Sequence, residues 1–205
     1  MLKTKNFPSF ELNDHVSPGV FDSFSNITKN SLLHALAENE VKLQGEDIQR
    51  VMAAYDSLST FTDVEQALQK IGSNPHVTPV VFSNGTKSMV SNSVYHSPDL
   101  SPQANIFQKI ITVDDIQKYK PAPETYLHLA NIVGKDQSQI NEMWLVSGNP
   151  FDIIGSRSVG MKAAWVDRAN RGWQDSAVPE LQPTIIATDL NNIVNAIEQH
   201  CSTLQ

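Results

Sequence analysis

Residues Trp144 to Asp167 read WLVSGNPFDIIGSRSVGMKAAWVD, and the reading of this stretch decides the fold. Met143 to Val146 form an apolar run of the aromatic and β-branched types that suit a buried parallel strand, and Ser147-Gly148-Asn149-Pro150 breaks it. A helix over 151–159 and a second apolar strand at 163–166 follow. In open α/β sheets ligands bind outside the carboxyl ends of the strands, so the polar side chains at this break, Ser147, Asn149 and Asp152, are the first candidate site. Asp152 also has an ordinary structural reading, because a carboxylate in a first helical turn sits well against the helix dipole.

The same alternation holds on both sides of that stretch. A helix from Phe61 to Ile71 places Val64, Ala67, Leu68 and Ile71 on one face, and Gly72-Ser73-Asn74-Pro75 stops it. Thr78 to Phe82 (TPVVF) then reads as a strand ending in Ser83-Asn84-Gly85-Thr86, with a helix from Lys87 to about Tyr95. After a Pro- and Ser-rich connection at 97–103, Lys109 to Val113 (KIITV) is another strand, KYKPAP at 118–123 is a rigid extended turn, and Glu124 to Val133 is helical. A short strand at 184–187 and an amphipathic helix from Leu190 to His200 complete the series. From residue 63 onward this is the pattern of an α/β fold, a Rossmann-like parallel sheet with helices on both faces.

The first part of the chain differs. Between Phe21 and Ala54, Leu32, Leu33, Leu36, Val41, Leu43, Ile48, Val51 and Met52 recur at helical steps in two blocks separated by Gln44-Gly45-Glu46-Asp47. This predicts a helical pair, with Ser31 and Asp47 as candidate caps. Residues 1–19 hold two prolines, a glycine and no sustained period, which predicts an irregular, loosely held segment. The expected organisation is therefore 1–19 irregular, 20–62 helical and 63–205 α/β.

Composition narrows the function. With 205 residues and 40% apolar content the chain can bury a core, and nowhere do 18 apolar residues run together, so no membrane span is expected. The amino terminus lacks a signal-peptide core and Cys201 has no cysteine partner within the chain, which together predict a cytoplasmic protein without internal disulfides. A net charge of -7 with scattered basic residues gives no footprint for nucleic acid. The six histidines show no HxxxH or HxH spacing for a metal. The oligomeric state is open, with a homodimer as the candidate assembly.

Three strand ends thus carry polar side chains: Ser83 and Asn84 after the first, Lys120 beyond the second, and Ser147, Asn149 and Asp152 after the third. Parallel packing predicts that Ser83, Lys120 and Asp152 share one sheet edge and one pocket. Each pattern alone is ordinary turn or cap chemistry; their order and spacing is the specific signal.

With FSNGT at 82–86, KYKPAPETY at 118–126 and VSGNPFDIIGSRSVGMKAAWVDR at 146–168, the chain resembles the haloacid dehalogenase superfamily of hydrolases, and within it the type II 2-haloacid dehalogenases, over roughly residues 21–200. The resemblance implies a core of that type with a partial helical cap over 20–62. It implies that Ser83 and Asn84 contact substrate and leaving halide, that Lys120 neutralises and orients a nucleophilic aspartate, and that Tyr126 lies on the substrate side. It also implies that Ser147, Asn149 and Asp152 surround the hydrolytic water. Phosphatases of the same superfamily hold magnesium with acidic side chains in the last of these motifs, where this chain has Gly148. One carboxylate is a poor magnesium site, so no metal and no other cofactor is expected.

One family element has no counterpart. The apolar strand ending in Asp-x-Tyr/Phe-Gly-Thr, which supplies the nucleophile, does not occur; Val20-Phe21-Asp22-Ser23-Phe24 imitates it but lacks Gly-Thr. Asp22 is the weak candidate for the nucleophile, and the resemblance places it in the cap instead. In the superfamily the missing strand is central in the sheet, so its neighbours would be left with unpaired backbone groups, each costing about 1–3 kcal/mol when buried. Either the chain is a shortened form of a longer protein, or residues 5–12 (KNFPSFEL) fill the slot despite Pro8. Three functions stay open: a hydrolase acting on a small 2-haloacid or related carboxylate through an aspartyl ester, a relative that binds small anions without turnover, and a metal-dependent phosphatase.

Overall fold

The structure, a computed structural model, describes residues 20–57 and 59–203. The readings made for residues 1–19, including the loosely held segment and the slot-filling by 5–12, lie outside the described residues.

Two helices open the described chain, α1 (Phe24–Glu38) and α2 (Gly45–Ala53). Neither expected cap serves. Ser23 caps α1, its side chain accepting the Asn26 N–H, while Ser31 lies inside the helix. Asp47 falls in the first turn of α2, whose N-cap is Gln44 without a side-chain bond. The reason is local: Asp22 Oδ1 accepts the Ser23 N–H at 2.7 Å and the Asn26 side-chain amide at 2.8 Å while Ser23 Oγ accepts the Asn26 N–H, so the Asp-Ser pair starts the helix more than two turns before the first leucines.

Helix α3 (Val64–Ser73) then leads into β1 (Val80–Ser83), α4 (Lys87–His96), a 3-10 turn at Ser101–Ile106 and β2 (Lys109–Thr112). After α5 (Pro123–Ile132) come β3 (Trp144–Ser147), α6 (Pro150–Ser158), β4 (Lys162–Val166), β5 (Ile185–Ala187) and α7 (Leu190–Ser202). All strand pairs are parallel, but the described strands form two sheets where the sequence pattern suggested one: β1-β2, and β3-β4-β5. Among the described residues, β1 and β3 each have a ladder partner on one side only. Val146, in the middle of β3, is 40% exposed, which is unusual for a strand of this otherwise buried type.

What joins the two sheets is α5. Tyr126, Leu129 and Ala130 on its inner face meet Ile111 of β2 and Leu145 of β3, with Val80 and Phe82 of β1 packed against the same cluster. Alternation along β3 sends Leu145 into this cluster and Trp144 to the opposite face, where Ile193 of α7 meets Ala164 and Val166. Helices therefore cover both faces. No helix among the described residues is long and apolar enough to cross a membrane.

Asp63, just before α3, ties three elements together. It accepts the Leu190 N–H at 2.7 Å and two bonds from Arg168 Nη2 at 3.0 and 3.2 Å, and Arg168 lies 4.0 Å over the Phe61 ring. Burial pushes the Asp63 carboxyl upward, but the Leu190 N–H and the Arg168 guanidinium together outweigh it and hold it below its ordinary value. A carboxyl lowered on folding contributes stability that is fully present above its unfolded value of about pH 4 and is lost as pH falls through the folded one. Asp63→Asn is expected to lower the urea-unfolding free energy by about 1.5–3 kcal/mol at pH 7, the range for hydrogen bonds to a charged group. The gap from the unmodified chain should shrink toward pH 3. A gap independent of pH would exclude this account.

Candidate active site

The ends of β1 and β3 form the same small turn. Ser83 Oγ accepts the Gly85 N–H and Ser147 Oγ accepts the Asn149 N–H, each at 3.0 Å. Such serine turns stop a strand sharply and keep the hydroxyl at its end. The Ser147 hydroxyl in turn donates to Asp152 Oδ2 at 2.8 Å.

Lys120 arrives from the turn after β2, and Asn84 fixes its backbone. Asn84 Oδ1 accepts the Lys120 N–H at 2.9 Å and Asn84 Nδ2 donates to the Lys120 carbonyl at 3.3 Å. The side chain then runs inward. Lys120 Nζ lies 3.0 Å from Asp152 Oδ1, donates to the Phe82 carbonyl at 3.3 Å and stands 4.7 Å from the centroid of the Phe82 ring. Only 8% of the lysine side chain and 5% of the aspartate side chain are exposed, so this is a buried ion pair whose partners depend on each other.

Tyr126 completes the surround of Asp152. Its hydroxyl donates to Asp152 Oδ1 across 3.4 Å, and its fully buried ring packs edge-on against Phe82 at 5.7 Å. Burial, and then the Asp152 charge, raise the Tyr126 hydroxyl far above the ordinary tyrosine range, so it stays a donor. Asp152 thus receives Lys120, Tyr126 and Ser147. A carboxylate has about four acceptor positions, which leaves one for water or ligand. Lys120 uses two of its three N–H donors in the same way.

Ser83, Asn84, Lys120, Asn149 and Asp152 all line one cavity of about 560 Å³. Ser147 and Tyr126 do not line it and act on it through Asp152. Asn84 lines it with its amide already committed to Lys120, which the sequence did not indicate. Asp22 is not among the lining residues; its carboxylate is engaged at the start of α1, while its carbonyl accepts the Tyr119 O–H. Among the described residues no three His, Cys, Asp or Glu side chains gather as a metal site.

The sequence model of the haloacid dehalogenase-like hydrolases matches residues 4–166. The chain belongs to this family. It is similar to (S)-2-haloacid dehalogenase 4A of Burkholderia cepacia, 25% identical over 72% of this chain and 61% of the relative, and to haloacetate dehalogenase H-2 of Moraxella sp. (strain B), 25% identical over 73% and 63%. The chain therefore spans about three fifths of the length of these two relatives. The (S)-2-haloacid dehalogenase of Pseudomonas fluorescens is 25% identical over 88% of this chain and 76% of its own. The fold is that of a solved L-2-haloacid dehalogenase, with a TM-score of 0.77 at 21% identity over 92% of this chain and 78% of that one. The L-2-haloacid dehalogenase from Xanthobacter autotrophicus gives 0.73 at 19% identity over 87% and 77%.

Two residues at this candidate site escaped the sequence reading. Phe82 offers Lys120 both a ring face and a carbonyl, and only the fold reveals that. Gly155 lies one helical turn after Asp152, on the same face of α6. A Cβ there would stand 2.3 Å from the Tyr126 hydroxyl oxygen and 2.5 and 2.6 Å from two ring carbons. A glycine inside a helix is a visible signal, because it weakens the helix unless packing requires it.

Proposed function

We propose that this cavity is the lysine-bearing half of a metal-independent active site of the 2-haloacid dehalogenase type, acting on a carboxylate halogenated at C2. The buried Lys120–Asp152 pair at 3.0 Å, set between the ends of β1 and β3, is the observation that carries the reading. In the proposed reaction an aspartate carboxylate attacks C2, the carbon–halogen bond breaks with the pair leaving on halide, and an ester forms. Water then adds to the ester carbonyl and releases the 2-hydroxy acid. Ser83 and Asn84 would serve the substrate and leaving group, Lys120 would orient the attacking carboxylate, and Asp152, held by Tyr126 and Ser147, would with Asn149 hold the water. The names of the three relatives, which specify (S)-2-haloacids and haloacetate, support the substrate class.

A second reading, anion binding without turnover, is favoured by one observation. Asp152 is the sole carboxylate among the described residues lining the cavity, and three donors already hold it. On this second reading the chain would bind a small 2-haloacid and release no halide. The phosphatase reading is disfavoured by the chemistry of Gly148 and not by space, since a Cβ there would meet only the Val166 carbonyl at 3.6 Å.

A free-halide assay with 2-chloropropionate, with and without magnesium, tests all three. Grafting an apolar strand ending in Asp-x-Phe-Gly-Thr, with the first half of a cap, onto the amino terminus should produce magnesium-independent halide release. Halide release by the unmodified chain that Asp22→Asn abolishes would instead make Asp22 the nucleophile. Magnesium-dependent release of phosphate from a phosphomonoester would replace the dehalogenase reading.

A further inference from the structure

Lys120 stands between two pulls. Asp152 Oδ1, 3.0 Å from Nζ, draws the ammonium toward α6. Phe82 on β1 draws it the other way, because its carbonyl accepts from Nζ at 3.3 Å and its ring centroid lies 4.7 Å from the nitrogen. The negative face of an aromatic ring attracts a cation, most strongly where water is excluded, and only 8% of this lysine side chain is exposed. The ring is itself fixed. Tyr126, fully buried over Gly155, meets it edge-on at 5.7 Å and 73°. Since the Tyr126 hydroxyl also donates to Asp152 Oδ1 at 3.4 Å, Phe82, Tyr126, Asp152 and Lys120 close a circuit in which each side chain meets two of the others. Phe82 packs against the α5 cluster, so the circuit is supported from that face of the sheet and does not depend on what lies beyond the strand ends.

We propose that Phe82 is a positioning residue for Lys120: the ring face keeps the ammonium near β1, so that its third N–H faces the carboxylate this site receives. Without that face the ammonium closes onto Asp152, and a ligand is bound only by the fraction of molecules in which it has swung back. The charge of the site is then unchanged, yet its affinity falls. The proposal rests on the reading above in which Lys120 meets a carboxylate, and it adds the group that aims the lysine. Attraction of a desolvated cation to a ring face corresponds to roughly five- to thirtyfold in an equilibrium constant.

Two kinds of change at position 82 separate aiming from packing. Phe82→Leu keeps an apolar side chain and the carbonyl but removes the face. Para-fluoro-, difluoro- and trifluorophenylalanine at the same position keep the ring and nearly its volume while draining negative charge from its face. Titration calorimetry of the full chain with 2-chloropropionate is expected to show affinity falling with each added fluorine, to about fivefold for the trifluoro ring and about tenfold for Phe82→Leu. The NMR signal of the Lys120 ε-methylene protons, identified by its absence from Lys120→Met, should lie upfield of the other lysines through the ring current. It should return to the ordinary lysine position in Phe82→Leu and retreat in step with affinity along the fluorinated series. Binding that is indifferent to fluorination would overturn the proposal alone, even if Phe82→Leu weakens it, since the ring would then only fill space. A loss of affinity without movement of the Lys120 signal would likewise overturn it. Absence of 2-chloropropionate binding by the unmodified chain would overturn the functional reading and this proposal with it.

Discussion

Replacing Gly155 by alanine is expected to lower the unfolding free energy by about 3 kcal/mol, the upper end of the range for overpacking a core. The added methyl would sit 2.3 Å from the Tyr126 hydroxyl oxygen and within 2.6 Å of two ring carbons, well inside van der Waals contact. The ring has no room to retreat, because it is fully buried between Phe82 and the α5 cluster. For a chain of this size that loss corresponds to roughly 6–12 °C in Tm. Tyr126→Phe should not rescue the variant, since the crowded ring carbons stay. Tyr126→Ala should make the second substitution far cheaper than in the unmodified chain, a non-additivity that neighbouring residues show. A Gly155→Ala protein melting within a degree of the unmodified chain would mean that Tyr126 does not pass over Gly155.

The second large effect belongs to the ion pair. Lys120→Met leaves Asp152 charged in a site where its side chain is 5% exposed, and Asp152→Asn leaves Lys120 charged at 8%. Breaking a buried pair from one side costs about 3–5 kcal/mol, because the remaining charge is neither solvated nor matched. Each single variant should lose stability in that range. The double variant Lys120→Met/Asp152→Asn should regain most of it, since no charge is left buried and Ser147 and Tyr126 keep an oxygen acceptor at position 152. Urea unfolding of the four proteins gives the coupling energy directly. Additive losses would show that the two groups do not interact. Lys120→Met and the double variant should also lose carboxylate binding, whereas Asp152→Asn keeps the lysine charge that attracts a carboxylate, so stability and ligand recognition separate in the double variant.

Asn84 shows where local pattern stops being informative. Its place after the first strand, in a Ser-Asn-Gly turn, was legible, as were the order of the strands and helices and the residue types at each strand end. Its use was not: the amide is bound by the backbone of Lys120, 36 residues away, and that pairing depends on how α5 brings the β2 turn over the end of β1. Ser31 is a parallel case on a smaller scale. It had the right chemistry for a cap, but the Asp22–Ser23 pair starts the helix earlier, so the competing site won.

By itself, the sequence determined the α/β class, the polar strand ends and the family, because these follow from periodicities of two and 3.6 residues, from turn chemistry and from the spacing of short motifs along the chain. Tertiary structure alone decided that the described strands form two sheets bridged by α5, that Lys120 pairs with Asp152 against Phe82, and that Gly155 makes room for Tyr126. Those features are contacts between segments far apart in the chain. Their geometry is set by packing volumes and burial, which a linear pattern does not contain.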